Sequence, residues 1–320
     1  MTHATTARYN LLGLDGVPAG ELAALLDEAD GFVAAAASRE TSDLLAGRVI
    51  ANLFFEDSTR TRCSFSVAAY RLGATTVDLT GKGSSLSKGE TLLDTALNLE
   101  AMGVDALVVR SPRSGTPHLV ADAVTCPVIN AGDGRHEHPT QGLLDILTLR
   151  RRWGDIAGRT VVIVGDIANS RVARSNLHGL TTLGANVVLV GPPALVPVSF
   201  MKITAGPGRV SIEHDLDKTL ANADAVMMLR IQLERHGTDG GGSIPPDYRR
   251  RYGLTADRAA SLPPEVLIMH PGPMNRGVEI DASVADDPDR SVILEQVTNG
   301  VAVRMAVLKR AVSCQPIAEN

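Results

Sequence analysis

The chain has 320 residues, of which 44% are hydrophobic and 21% are charged, and its formal net charge is −5. One hydrophobic core usually stops growing below this length, so the sequence predicts two domains of about 150 residues each. The negative charge, with no basic block to offset it, argues against nucleic-acid binding. No apolar run is long enough to span a membrane, and no signal-peptide core follows Met1. We therefore expect a cytoplasmic protein.

The three cysteines, Cys63, Cys126 and Cys314, are odd in number and scattered. This spacing argues against both a disulfide framework and a CxxC metal site. We interpret them as reduced structural thiols.

Short apolar runs alternate with segments of helical period, which is the pattern of a parallel sheet with crossover helices. The fold class is therefore α/β, with two lobes that each carry a mostly parallel sheet flanked by helices. We expect the active site in the cleft between the lobes. The predicted domains are 1–150 and 151–290, and a C-terminal helix in 291–320 is predicted to pack back on the first domain.

The elements of the first half end with a helix that leads out of the first lobe. Strands are predicted at Arg48–Phe54, Thr75–Leu79, Asp105–Arg110 and Pro127–Asn130, and helices at Thr59–Leu72, Glu90–Met102, Thr116–Val124 and Pro139–Trp153.

The second half starts a new series of strands and contains a glycine tract, residues 238–243, that predicts a mobile loop. Strands are predicted at Arg159–Val164, Ala185–Val190, Val210–His214, Ala225–Leu229 and Val266–Met269, and a last helix at Ser291–Val312.

The strongest chemical signal lies where the first strand ends in the run Ser58-Thr59-Arg60-Thr61-Arg62, which opens a helix. Free backbone N–H groups at a helix start, together with hydroxyls and a guanidinium, favour an anion such as phosphate. A plain capped helix with solvated arginines is the alternative on spacing alone. The glycines of a Walker loop or a GxGxxG turn are absent, so nucleotide binding is disfavoured.

Two more candidate positions follow strands of the first half, where open α/β sheets place their ligands. Arg110 ends one strand, and His138 and Gln141 flank the predicted helix start at Pro139. The pair His136 and His138, with Asp133, also leaves a metal site open as an alternative.

Candidates in the remaining loops are mostly cations. Lys88 lies in a polar loop that is bounded by glycines, Arg171 opens a helix, and Arg230 follows a strand with Gln232 two residues on. An arginine at a helix start suits a carboxylate through its paired donors. The turn His270-Pro271-Gly272-Pro273 offers backbone carbonyls to a substrate NH₂ group.

In order and spacing these motifs resemble those of the aspartate carbamoyltransferase catalytic chains, in the aspartate/ornithine carbamoyltransferase superfamily. The resemblance implies transfer of a carbamoyl group from carbamoyl phosphate to L-aspartate, an early step of pyrimidine (UMP) biosynthesis, with no metal or other cofactor. It also implies a homotrimer with shared active sites, in which Ser84 and Lys88 reach the neighbouring subunit's site. Some relatives dock regulatory or dihydroorotase chains, which is left open here.

The resemblance also implies roles for individual residues. Carbamoyl phosphate is expected to contact Ser58, Thr59, Arg60, Thr61, Arg110, His138, Gln141, Gly272 and Pro273. Within that set the catalytic residues are expected to be Arg60, Thr61, Arg110 and His138. The aspartate contacts are expected to be Lys88, Arg171, Arg230 and Gln232.

Ornithine carbamoyltransferases share the first-lobe motifs, so the second lobe has to decide the amino-acid substrate. They typically carry a His-Cys-Leu-Pro turn and a Ser-Met-Gly segment, where this chain has His270-Pro271-Gly272-Pro273 and Arg230-Ile231-Gln232. Cations suited to a dicarboxylate favour aspartate. The other readings are a different amino-acid carbamoyltransferase, a non-catalytic binding protein and a metal-dependent amidohydrolase.

Overall fold

The computed structural model describes residues 8–38, 40–80, 91–204, 206–231 and 245–313. These residues form two compact units. The first contains 8–14, the described part of 21–143, and 298–313, and the second contains Asp15–Gly20 and the described part of Leu144–Val297. The units change over after Leu143 and Val297, where we predicted limits at 150 and 290. Which substrate each domain binds stays a prediction.

The first unit is built on a parallel sheet whose strand order, among the described residues, is β2-β1-β3-β4. The strands are β1 (Val49–Phe54), β2 (Thr75–Thr80), β3 (Ala106–Ser111) and β4 (Val128–Asp133). The helices in this part of the chain are α1 (Ala19–Gly31), α2 (Val33–Ala37), α3 (Thr59–Arg71), α4 (Leu92–Ala101), α5 (Thr116–Ala123) and α6 (Pro139–Trp153).

Burial distinguishes the other strands of the first unit from β2, which has no buried residue. Every residue of β3 and β4 is buried, as expected for strands covered by helices on both faces. Helix α3 packs on the sheet through Phe65, Ala68 and Ala69, whose spacing gives one apolar face. Burying Phe65 alone contributes roughly 2 kcal/mol.

The second unit is built on another parallel sheet, with strand order β7-β6-β5-β8-β9 among the described residues. The strands are β5 (Thr160–Val164), β6 (Asn186–Val190), β7 (Val210–Glu213), β8 (Ala225–Met228) and β9 (Leu267–Met269). The α-helices in this part of the chain are α7 (Arg171–Thr182), α8 (Leu216–Leu220), α9 (Tyr248–Tyr252), α10 (Ala256–Ser261), α11 (Ala282–Ala285) and α12 (Ile293–Ser313), and residues 298–313 of α12 belong to the first unit.

Each sheet has one point at which the strand order reverses. In the first sheet β1 lies between β2 and β3, and in the second β5 lies between β6 and β8. Open α/β sheets bind ligands beyond the carboxyl ends of the strands at such a point. The topology therefore marks the loops after β1 and β3 in one unit, and after β5 and β8 in the other.

The two-lobed α/β fold with parallel sheets is confirmed, and most strands and helices begin within two residues of their predicted positions. The helix at Ala19–Gly31 was not predicted, although Leu22, Leu25, Leu26 and Ala29 form an apolar stripe there. Among the described residues no helix is long and apolar enough to cross a membrane.

The two described cysteines differ in their surroundings. Cys63 is exposed and Cys126 is buried, and both are free thiols. Burial, reinforced by the nearby Glu100 carboxylate, raises the pKa of Cys126 to about 12. This thiol therefore stays protonated, as expected for a structural cysteine. Cys314 lies outside the described residues.

Candidate functional site

The start of α3 carries the run that predicted a phosphate site. Ser58 is the N-cap residue, as expected, but its side chain makes no capping hydrogen bond with the helix. Thr59 and Arg60 are exposed, whereas Thr61 is buried within the first turn. The helix thus presents hydroxyls, a guanidinium and its N-terminal amides together at the carboxyl end of β1.

Arg110 lies next to this run because β1 and β3 are neighbours. Phe54 and Arg110 are partners in the ladder, and the amide of Phe55 donates to the carbonyl of Arg110 over 2.9 Å. Arg110 is only 8% exposed. Its Nε lies 3.2 Å from Oε2 of Glu56, and its Nη1 donates to the carbonyl of Ala131 over 2.9 Å. Arg110 therefore joins the loop after β1 to the last residues of β4.

A buried carboxylate organises the loop after β4. Asp133 is fully buried and accepts hydrogen bonds from Nδ2 of Asn130, the amide of Gly115 and the amide of Glu137, at 2.9, 2.6 and 3.1 Å. Burial opposes its ionisation, but these donors and the ring of His136 outweigh burial and hold the pKa of Asp133 below its usual range. Asp133 is thus an anionic anchor for the segment that leads to His138.

The same loop depends on a glycine. Gly134 has φ +49°, and a Cβ there would lie 2.5 Å from Oγ of Ser114 and 2.6 Å from its backbone nitrogen. Any larger residue would push this loop away from the loop after β3. Gly134 therefore keeps the ends of β3 and β4 in close contact.

His138 and Gln141 flank the start of α6, which begins at Pro139 as predicted. The carbonyl of His138 accepts from the amides of Gln141 and Gly142 at 2.9 and 3.1 Å. Both side chains are buried, with exposures of 5% and 8%. They lie in the turn that follows the Asp133 anchor.

The metal alternative for this loop gains no support from the geometry. His136 directs Nδ1 at the Asp133 carboxylate, 3.1 Å from Oδ2, and its ring packs edge-on against that of His118. Within the described residues no group of three or more histidine, cysteine, aspartate or glutamate side chains has the arrangement of a metal site.

In the second unit, Arg171 is the first residue of α7. Ser170 caps this helix by accepting from the amide of Ala173 over 3.1 Å. The turn after β5 is held by Asp166, whose carboxylate accepts from Nδ2 of Asn169 at 2.9 and 3.0 Å. Gly165, at φ +138°, lets this turn approach Leu229, whose Cβ would lie 3.0 Å from a Cβ at position 165. Arg171 is half-buried.

Arg230 and the proline turn follow the neighbouring strands β8 and β9. Arg230 is half-buried, and the next residue, Ile231, is fully buried. His270 is buried and its Nδ1 accepts from the amide of Gly272 over 2.8 Å, which folds the turn back on itself. The Gly272–Pro273 peptide bond is cis. Arg171, Arg230 and this turn therefore follow three strands that are adjacent in one sheet.

Some predicted residues lie outside the described part of the chain, and some contributors were missed. Ser84, Lys88, Gln232 and the glycine tract are outside it. Glu56 was not predicted as the neighbour of Arg110, and Asp133 was predicted only as a possible metal ligand. Glu279 and Asn275, which hold the proline turn, were also missed. For the carboxylates among them, the sequence signal that could have been used is an acidic residue close to a strand end or a turn.

Family models match both halves of the chain. Residues 9–151 match the model described as "Aspartate/ornithine carbamoyltransferase, carbamoyl-P binding domain", and residues 157–311 match "Aspartate/ornithine carbamoyltransferase, Asp/Orn binding domain". Among similar proteins, the aspartate carbamoyltransferase catalytic subunit of Myxococcus xanthus is 55% identical over 94% of this chain and 98% of its own. The subunit of Salinispora arenicola is 54% identical over 94% and 96%.

Solved structures of the same superfamily are also similar. Aspartate transcarbamoylase from Trypanosoma cruzi in complex with carbamoyl phosphate and aspartate has a TM-score of 0.86 and 30% identity, over 96% of this chain and 98% of its own. Ornithine carbamoyltransferase from Pyrococcus furiosus has a TM-score of 0.83 and 30% identity, over 95% and 97%. The matched models and relatives cover nearly the whole chain, so it belongs to the aspartate/ornithine carbamoyltransferase family of enzymes.

Proposed function

We propose that the chain transfers the carbamoyl group of carbamoyl phosphate to the amine of L-aspartate, giving N-carbamoyl-L-aspartate and phosphate. One observation carries the proposal: the described residues of the matching motifs lie at the carboxyl ends of neighbouring strands, β1, β3 and β4 in the first sheet and β5, β8 and β9 in the second, with arginines in both units. Both substrates are anions, and the chain has a net charge of −5. Local cations at these strand ends supply the attraction that the whole molecule does not.

The phosphate is proposed to bind at the start of α3. Ser58, Thr59, Arg60 and Thr61 combine hydroxyls, a charged fork of donors and the positive end of the helix dipole. This combination recognises the dianionic end of carbamoyl phosphate and leaves the carbamoyl group directed away from the helix.

The carbamoyl oxygen is proposed to accept hydrogen bonds from Thr61, Arg110 and His138. Negative charge grows on this oxygen when the aspartate amine attacks the carbamoyl carbon. Donors that are already buried and held in position need no rearrangement at that moment, and each contributes on the order of 3 kcal/mol. Gln141 and the backbone of Gly272 and Pro273 are proposed to hold the carbamoyl NH₂ group.

The aspartate carboxylates are proposed to bind Arg171, Arg230, Lys88 and Gln232. An arginine fork pairs with a carboxylate through two parallel hydrogen bonds, which also fixes orientation. The departing phosphate is itself a base, so His138 is assigned to polarise the carbonyl and not to remove the amine proton. These roles call for no metal.

The deciding experiment measures product formation from carbamoyl phosphate with L-aspartate or with L-ornithine, using purified protein treated with a chelator. We expect carbamoyl-aspartate alone. Turnover only with ornithine would reject the assignment of Arg230 and the proline turn. Loss of activity on chelation would support a metal-dependent enzyme, and no turnover with either amino acid would support a binding protein.

We further propose that three copies assemble with shared active sites. Exposed apolar side chains on α3 and β2 of the first unit support an interface: Tyr70 and Val67 on α3 are 63% and 41% exposed, and Val77 on the edge strand β2 is 39% exposed. The segment with Ser84 and Lys88 follows β2 directly in the sequence. Mixing inactive Lys88→Ala and His138→Ala proteins should restore part of the activity, because some mixed sites then contain neither substitution. No recovery would argue against sharing.

The reaction would serve pyrimidine (UMP) biosynthesis in the cytoplasm, where carbamoyl-aspartate is consumed. The free thiols Cys63 and Cys126 fit a reducing compartment. Docking of regulatory or dihydroorotase chains is tested by the mass of the complex purified from its natural source. A mass of three chains alone would argue against such partners.

A further inference from the structure

A second buried carboxylate holds the two ends of the proline turn together. Glu279 is fully buried, and its Oε1 accepts from the amide of Asn275 over 2.5 Å and lies 3.3 Å from Nε2 of His270. His270 begins the segment that contains Gly272 and Pro273, and Asn275 ends it. One carboxylate oxygen therefore fixes the distance between the ends of this segment.

The other bonds of His270 define its protonation and its backbone position. Nδ1 accepts from the amide of Gly272, so the neutral ring carries its proton on Nε2 and donates it to Glu279. The amide of His270 donates to Oε1 of Gln296 over 3.0 Å, and Nε2 of Gln296 donates to Oδ1 of Asp145 over 2.7 Å. All four side chains are at least 98% buried. The turn is thus anchored in the interior of the second unit.

Asn275 connects this anchored turn to the segment that carries Arg230. Its Nδ2 donates to the carbonyl of Ile231 over 2.9 Å. Strand β8 ends at Met228, and the amide of Leu229 makes the last ladder-like bond, to Val164. Arg230 therefore lies between the end of the ladder and the peptide that Asn275 holds. A change in the turn or in Asn275 would therefore shift the backbone that carries the Arg230 side chain.

We propose that Asn275 is a positioning residue that sets Arg230 relative to the Gly272–Pro273 turn. This inference rests on the proposed function, in which the turn holds the carbamoyl NH₂ group and Arg230 holds a carboxylate of aspartate. Asn275 thereby keeps a fixed distance between the two substrate contacts, the turn and Arg230. That distance selects an amino acid whose carboxylate lies at the matching distance from the attacking amine. In this proposal Asn275 acts through the backbone next to Arg230 and is assigned no contact with either substrate.

The test compares Asn275→Asp and Asn275→Ala with the wild type. Aspartate at position 275 has the shape of asparagine but presents no amide donor to the Ile231 carbonyl, and the amide that donates to Glu279 remains in both variants. We expect KM for L-aspartate to rise about 3- to 10-fold, the equivalent of one hydrogen bond. KM for carbamoyl phosphate should stay within about 2-fold, because its phosphate is bound in the first unit.

Asn186→Ala is the matched control. Asn186 also lies in the second unit, and its Nδ2 donates to a backbone carbonyl, that of Gly158, over 3.3 Å. It is the first residue of β6, at the amino end of the strands and away from the proline turn, so its loss should leave both KM values unchanged.

The outcomes separate the inference from the proposed function. A wild type with no carbamoyl-aspartate formation would reject both. An active wild type whose Asn275→Asp variant keeps its KM for L-aspartate would overturn this inference alone. Equal losses of kcat with unchanged KM, accompanied by a lower melting temperature, would also overturn it, since they indicate a purely structural role.

Discussion

At the amino ends of their strands, the two sheets are held together by the same arrangement of charged residues. At the carboxyl ends of the strands, where the candidate site residues lie, the two sheets differ. Before β1, Arg48 pairs with Asp105 at 2.7 Å, and the other oxygen of Asp105 accepts from the amide of Val49. Before β5, Arg159 pairs with Asp224 at 2.8 Å, and the other oxygen of Asp224 accepts from the amide of Thr160. Each pair ties the first strand of its sheet to the neighbour on the far side of the order reversal, β3 in the first sheet and β8 in the second. The sequence alone showed no such repeat.

At the carboxyl edges the similarity ends. In the first unit Thr61, Arg110, His138 and Gln141 are all at least 91% buried, and the Asp133 carboxylate anchors the loop that leads to His138. In the second unit Arg171 and Arg230 are half-buried, and the anchoring carboxylate of Glu279 acts on a turn.

The difference indicates where the family can vary its substrate. A buried set of donors leaves little freedom, which suits the carbamoyl phosphate that aspartate and ornithine enzymes share. Half-buried arginines held by neighbouring loops are easier to replace, because a change there leaves fewer buried groups without partners. The choice of amino acid is therefore expected to lie in the second unit.

Arg110→Ala is the most direct test of the buried donors in the first unit. Removal of one preplaced donor at a developing oxyanion should lower kcat by about 10²- to 10³-fold. Steady-state kinetics with both substrates varied gives the value. Arg48→Ala, at the amino edge of the same sheet, is the control and should leave kcat within about 2-fold. A similar kcat for Arg110→Ala and the wild type would remove Arg110 from the catalytic set.

Asp133→Asn tests whether the first unit depends on its buried anion. The substitution places an NH₂ group opposite N–H donors that bond to a carboxylate oxygen in the wild type. The free energy of unfolding should therefore fall by about 1–3 kcal/mol at pH 7. The folded pKa of Asp133 is depressed, so its stabilisation is present above the unfolded value of about 3.9 and is lost as the pH falls through the folded pKa. Urea unfolding of both proteins between pH 3 and 7 should show the difference narrowing only below about pH 4. A constant difference would mean that the charge is not responsible.

Arg230→Ala tests the second unit in the same terms. Loss of a charge-assisted hydrogen bond to the substrate should raise KM for L-aspartate about 10- to 100-fold and leave KM for carbamoyl phosphate nearly unchanged. Arg159→Ala, at the amino edge of this sheet, is the control. Equal increases in both KM values would show that the two substrates are not divided between the units as proposed.

The sequence could predict the elements and the edge on which the candidate residues lie. Apolar runs gave the strands, and Ser58, Arg110 and Arg230 were each placed correctly at a strand end, because parallel sheets bring those ends to one edge. What it could not predict were the contacts across distant segments. The Glu56–Arg110 pair and the Asn275–Ile231 bond depend on loop conformations, which periodicity does not encode.

Asp133 shows the same limit at a single residue. Its chemistry, with His136 and His138 nearby, fits a metal ligand as well as an acceptor of hydrogen bonds. Only the positions of the Gly115 and Glu137 amides, which both donate to it, distinguish the two. A backbone amide is the same in every residue except proline, so the sequence does not indicate which amides donate to Asp133.

The smallest expected effect separates two roles for His138 within the buried set of the first unit. A residue that polarises the carbamoyl oxygen needs a donor, whereas one that removes a proton needs a base. His138→Gln keeps a donor and loses the base, and His138→Ala loses both. Because the departing phosphate supplies a base, we expect the kcat of His138→Gln to exceed that of His138→Ala by about 10-fold, the equivalent of one hydrogen bond. Single-turnover rates with both substrates bound would measure this without a contribution from product release. Equal losses of kcat in the two variants would mean that His138 removes the amine proton. The buried set of the first unit would then contain a base as well as hydrogen-bond donors.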